Sequence, residues 1–131
     1  MKNVHLLLFL ILASGCGQQA SSPTLETKAP QVAYTVVNDS TANRSHTIDI
    51  FLKDTAAIKS LNAYLKDKYN KDKSTWIQIS YFNDSLIAKT YFAKQLDQTV
   101  SEREKNKLFK HFIANYTYNP STGYDTLAYE H

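Results

Sequence analysis

Few side chains in this sequence are of the kind that does chemistry, and most of them stand alone. Cys16 is the only cysteine. A thiolate is a nucleophile and a soft metal ligand, so Cys16 suits acylation, disulfide exchange or coordination. The histidines beyond the N-terminal stretch are His46, His111 and His131. Imidazole serves as a general base or a zinc ligand, but these three are scattered, with none of the short spacings that place two ligands on one metal. Asp49 and Asp125 are carboxylates that could meet across a sheet as an acid–base pair. His46 and Asp49 are three residues apart, which on a strand sends them to opposite faces. No G-x-S-x-G elbow, P-loop or G-x-G-x-x-G occurs, and the three glycines, at positions 15, 17 and 123, are not spaced to make the last. The expectation is a protein that is not an enzyme, with no catalytic, cofactor-binding or metal-ligating residues.

The residues around Cys16 explain its position. Lys2 and the terminal amine form a positive start, Leu6 to Leu12 is an unbroken apolar run of seven, and Ala13, Ser14 and Gly15 are small. That order is the pattern of a secretory signal peptide. The run is too short to cross a bilayer, which takes about 20 apolar residues. Ala13-Ser14-Gly15-Cys16 resembles the lipobox of bacterial lipoproteins. The resemblance implies that the Cys16 thiol receives a diacylglycerol, that the chain is cut between Gly15 and Cys16, and that the new amino terminus is acylated. The family most often has Leu where this chain has Ala13, and Ala13 with Gly15 also fits the small-x-small rule of ordinary secretory cleavage. Both readings cut the same bond; they differ in whether Cys16 becomes lipidated or remains a free thiol. A lone thiol in an oxidising compartment is a liability, which favours lipidation. The resemblance covers the first 16 residues and implies export and anchoring to a bacterial membrane, at its periplasmic face or the cell surface. It implies no activity.

Residues 17–31, GQQASSPTLETKAPQ, hold two prolines and no apolar period, and read as a linker. As a flexible coil they would span roughly 20 Å. The expected organisation is a signal peptide over 1–15, the lipidated cysteine and linker over 16–31, and a single α+β domain over 32–131.

Within that domain the apolar periodicity predicts a strand at 32–37 and another at 45–52, separated by a polar NDSTANRS stretch too long for a tight hairpin. Asp54 is the expected N-cap of a helix whose stripe is Ile58, Leu61, Leu65 and Tyr69, widened by Ala57 and Tyr64. Lys66, Lys68, Lys71 and Lys73 then make a basic end diluted by Asp67 and Asp72. TWIQISYF over 75–82 is the clearest strand, with Ile77, Ile79 and Tyr81 on one face and Trp76, Gln78, Ser80 and Phe82 on the other. Trp76, the only tryptophan, is read as a partly buried core edge ahead of a ligand platform. Asn83-Asp84 allows a hairpin into residues 85–96 or a helix capped by Asp84, and the helix formers in that segment favour the helix. Its apolar face would carry Ile87, Ala88, Tyr91, Phe92 and Leu96. Ser101 and Glu104 fit a capping box.

At the C-terminus, Asn119 and Pro120 set up a turn and Gly123 supplies the positive φ that it needs. This pairs Asn119 with Tyr124, Tyr116 with Leu127 and Ala114 with Tyr129. Phe112, Ala114, Tyr116, Leu127 and Tyr129 would share one face. The NPSTGYD ending is similar to that of small uncharacterised bacterial lipoproteins, a likeness that carries no activity. The fold class predicted is α+β: an antiparallel or mixed sheet of four to five strands, with two or three helices packed on one face.

The balance of 15 Lys and Arg against 12 Asp and Glu is too mild for nucleic acid binding, and nine Tyr and six Phe supply a core. The function expected is a membrane-anchored binding or structural module, attached through Cys16, with exposed tyrosines such as Tyr124 for a protein or glycan partner in the envelope. An inhibitor or immunity-type lipoprotein acting on an envelope hydrolase is the alternative, and a small hydrolase the third reading.

Overall fold

The computed structural model describes residues 28–71 and 73–130. The signal peptide, the Gly15–Cys16 cleavage site, Cys16 and most of the linker lie outside the described residues. The domain is α+β. Its elements are β1 (Tyr34–Ala42), β2 (Ser45–Leu52), one turn of 3-10 helix (Thr55–Ala57), α1 (Ile58–Tyr69), β3 (Trp76–Phe82), α2 (Ser85–Leu96), α3 (Glu102–Phe109), β4 (Phe112–Asn119) and β5 (Tyr124–Tyr129). The strands form one five-stranded sheet in the order β1-β2-β3-β4-β5. Only β2 and β3 run parallel, joined by the α1 crossover that parallel neighbours require.

The 3-10 turn that leads into α1, and the helices α2 and α3, each start where a side chain can accept free amides; α1 itself continues from that turn without a side-chain cap. The Asp54 carboxylate accepts from the Ala56 amide at 3.1 Å. Asp84 accepts from the Leu86 and Ile87 amides, both at 2.9 Å, which decides residues 85–96 as helix. Ser101 accepts from the Glu104 amide at 3.3 Å. Lys66 and Lys68 occupy the last turn of α1, where the helix dipole favours positive charge.

Tyr81 and Phe82 show how the layers divide. They are consecutive on β3, so their side chains leave opposite faces of the sheet. The Tyr81 hydroxyl donates to Asn62 Oδ1 on α1 at 2.7 Å. The Phe82 ring lies 5.2 Å from that of Tyr91 on α2. The helices therefore lie on both faces of the sheet, not on one. The α1 side buries Ile48, Ile50, Leu52, Ile58, Leu61, Leu65, Ile77 and Ile79 completely. The other side is a smaller aromatic cluster of Phe82, Ala88, Tyr91, Leu108 and Phe112. Burying one such aliphatic side chain contributes about 1.5–3 kcal/mol, so the α1 layer dominates stability.

Three expectations are corrected. Phe112 does not share a face with Ala114 and Tyr116. Tyr81 pairs with Ala114 while Phe82 pairs with Phe112, so Ile113 is an extra residue, and the bulge sends Phe112 to the α2 side. The NDSTANRS stretch is not a long loop. β1 runs on to Ala42, which pairs with Ser45, and Asn43 and Arg44 close the hairpin with φ of 47° and 63°. Positive φ at both central positions is the type I′ geometry whose twist suits a two-residue hairpin. Finally, Leu96 is 83% exposed rather than packed, whereas Phe92, at the edge of the layer, meets the rings of Phe82, Tyr91 and Phe112.

Candidate functional site

The aromatic layer of α2 and α3 covers only part of its face of the sheet. Phe51, Phe82 and Phe112 lie beneath it. Alternation along the strands then places successive polar rows on the same face. The first is Asn38, Asp49, Ser80 and Asn115, each paired with the next. The second is Ser40, Thr47, Gln78, Thr117 and Thr126. The last row ends the sheet: Ser45 pairs with Trp76, and Asn119 with Tyr124. Trp76 is 46% and Tyr124 53% exposed, so the aromatic character of that rim faces solvent. Trp76 is an exposed ring at the sheet end, not a core edge.

Two reverse turns bracket Trp76. The Asn43–Arg44 turn is held against it by the Trp76 amide, which donates to the Arg44 carbonyl at 2.8 Å. The β4–β5 loop stands on its other side, braced by the Ser121 amide donating to Asn119 Oδ1 at 2.9 Å and the Gly123 amide to the Asn119 carbonyl at 2.9 Å. Between them lies a shallow cleft of about 310 Å³ lined by Asn43, Arg44, Ser74, Trp76 and the Asn119–Ser121 segment. Arg44 is exposed and takes part in no ion pair among the described residues. Asn43, Arg44 and Lys73 (φ 52°) are the described non-glycine residues with positive φ; Asn43 and Arg44 line this cleft, whereas Lys73 lines a separate hollow beside α1. Such backbone costs of order 1 kcal/mol per residue and collects at functional sites.

A second crevice runs between β1–β2 and α2, lined by Asn38, Thr47, Asp49, Ala88, Lys89 and Phe92. Asp49 is 3% exposed, and burial pushes its carboxyl pKa up. Asn38 Nδ2 donates to Asp49 Oδ2 at 3.1 Å, while Asp49 Oδ1, Ser80 Oγ and Asn115 Oδ1 are buried without a hydrogen bond of normal geometry. Ser80 is close enough to oppose part of the rise.

The structure separates most residues that could do chemistry. Asp49 faces α2, whereas Asp125 accepts from Lys66 Nζ of α1 and from the Tyr116 hydroxyl; the two carboxylates lie on opposite faces and do not pair. The Lys66 hydrogen bond holds the Asp125 carboxyl below its ordinary range. His46 Nε2 meets Asp39 Oδ1 at 2.5 Å, with the Tyr69 ring edge-on at 4.8 Å. His111 Nδ1 meets Asn83 Oδ1 at 2.8 Å. His131 and Cys16 lie outside the described residues. Asn119, Pro120 and Gly123 form the expected turn, with Gly123 at φ 71°. Among the described residues no group of three or more His, Cys, Asp or Glu is placed to hold a metal, and no helix is long and apolar enough to cross a membrane.

The contribution of Arg44 was not legible in the sequence. A type I′ turn is announced by Asn-Gly or Asp-Gly, and Asn43-Arg44 lacks the glycine. Comparison with protein families, with curated proteins and with solved structures finds no match.

Proposed function

We propose that this chain is a lipoprotein of a bacterial envelope, anchored through Cys16, whose domain is a small binding module that works through the Trp76 end of its sheet. The observation that carries the binding reading is Trp76 itself: the only tryptophan, 46% exposed, on an open polar face and between two braced turns. A large aromatic ring held half in water, with amide groups beside it, is the composition of a recognition surface. The lipobox-like ASGC at residues 13–16 supports the anchor. A linker of about 20 Å would let the domain reach material near the membrane.

The reading divides into two experiments. Labelling with a radioactive fatty acid should mark the full chain and fail on Cys16→Ser; an unlabelled full chain removes the anchor. Isolated envelope polysaccharide should shift the Trp76 emission, and unchanged emission across a saturating titration would remove the binding site.

The inhibitor reading has one observation in its favour. The Asn119–Gly123 loop is braced by two backbone amides and projects from the sheet end, as a rigid inhibitory tip would. It requires that Pro120 and Ser121, rather than Trp76, carry the contact, and alanine substitution of each separates the two.

A further inference from the structure

Resting on the binding-module reading, we infer that the cleft around Trp76 takes an acidic oligosaccharide, its carboxylate held by Arg44 and a sugar ring stacked on the indole.

Charge selects the ligand. Among the described residues Arg44 is the charged residue that lines the cleft, and its guanidinium is in no ion pair with them. A guanidinium offers a planar fork of donors that matches a carboxylate. An exposed indole presents an apolar, electron-rich face, which packs against the polarised C–H groups of a sugar ring. Asn43 and Asn119 supply amides for hydroxyl groups. Asn119 Oδ1 accepts from the Ser121 amide, which fixes the side chain and leaves its NH₂ as the donor.

The backbone supplies an independent reason. Arg44 sits at φ 63° in the second central position of a type I′ turn, where glycine is strongly preferred. An arginine there costs stability that a glycine would not. Conformational strain at a residue whose side chain makes no ion pair among the described residues is the pattern of a functional position. Arg44 is thus held in place by the turn and aimed beside Trp76 by the backbone bond between them.

The span of the surface suits more than one sugar. Tyr124 lies on the same face as Trp76, with β4 between their strands. Two strand spacings put their backbones about 10 Å apart, with Asn119 between them. A disaccharide can bridge that distance, and the threonine and glutamine row alongside offers further hydroxyl and amide groups.

The test uses the full chain and the emission of Trp76, which reports this site alone because no other tryptophan exists. Tetragalacturonate, which carries carboxylates, is titrated against cellotetraose, which is neutral. Tetragalacturonate should give a saturable shift that weakens with added salt, and cellotetraose should bind at least roughly tenfold more weakly. Arg44→Gly should lose the tetragalacturonate response by a similar factor while its Tm holds or rises. That combination separates a ligand contact from a structural role, since a residue needed for the fold would lower Tm. If cellotetraose binds as well, or Arg44→Gly binds unchanged, the acidic ligand is overturned while the binding module stands. If tetragalacturonate gives no shift, the acidic ligand is overturned, and the titration with envelope polysaccharide decides the module separately.

Discussion

Arg44 and Trp76 share a backbone hydrogen bond of 2.8 Å and line one cleft, so the turn that closes the first hairpin also builds the rim of the candidate site. The turn is not optimised for stability. Arg44→Gly should raise the free energy of unfolding by up to about 1 kcal/mol, because glycine adopts positive φ without a Cβ penalty. Urea denaturation followed by far-UV circular dichroism measures it. A loss above 1 kcal/mol would show that the arginine side chain supports the fold.

Gly123 is the opposite case. It occupies φ 71°, and a Cβ added there would meet nothing within 4 Å. Any cost of substitution is therefore one of backbone conformation. Gly123→Val should lose more than about 1 kcal/mol, and Gly123→Asn distinctly less, because asparagine tolerates the left-handed region and β-branched residues resist it. Equal urea midpoints for the two variants would contradict the turn geometry.

Tyr81 and Tyr116 set a limit at alkaline pH. Burial raises both phenol pKa values well above the ordinary range, aided at Tyr116 by its hydrogen bond to Asp125. The folded state keeps protons that the unfolded chain releases near pH ~10. Stability is then full below about pH 10 and falls as pH rises beyond it. Unfolding midpoints between pH 8 and pH 11 should show this fall. Tyr81→Phe should make it shallower, at a cost of about 1–2 kcal/mol at pH 7, because Asn62 Oδ1 loses its buried donor.

Asp49 has the same sign at lower pH. Burial raises its carboxyl above the ordinary 3.8, so the folded state favours the protonated form. Its contribution is fully present below the unfolded pKa and is lost as pH rises through the folded one. Asp49→Asn keeps an acceptor for Asn38 and removes the buried charge. It should stabilise the domain at pH 7 and change little at pH 3. Thermal unfolding at the two pH values tests it, and destabilisation at pH 7 would mean that the carboxylate has a partner such as a bound cation.

Capping residues carry a plainer prediction. Asp84 accepts two helix amides, so Asp84→Ala should cost about 1 kcal/mol. α2 holds Tyr91 over Phe82, and near-ultraviolet circular dichroism should report the loosened aromatic layer.

Features that arise between neighbours in the chain were legible from residue types and spacing. Period-two and period-3.6 apolar patterns placed β2, β3 and α1. Asp54, Asp84 and Ser101 marked helix starts because their side chains accept bonds from amides next to them in the chain. Asn119, Pro120 and Gly123 set a turn whose register then followed residue by residue, Tyr116 opposite Leu127 and Ala114 opposite Tyr129. Tyr124 could be named as an exposed candidate, whereas Trp76 read first as a core edge, and the two could not be brought together. Tertiary structure alone decided the rest. Alternation gives each strand two faces without saying which helix covers either, so α1 and α2 fell on opposite sides through the packing of Tyr81 and Phe82. The Ile113 bulge that moves Phe112 arises from the fit of β4 to β3, which neither strand encodes alone. The Asn43–Arg44 turn lacks the glycine that would announce it, and its strain is sustained by the ladder of β1 on β2. The candidate site lies where those non-local decisions meet: residues 44, 76 and 119 are distant in the chain and become neighbours only when the strands are in register.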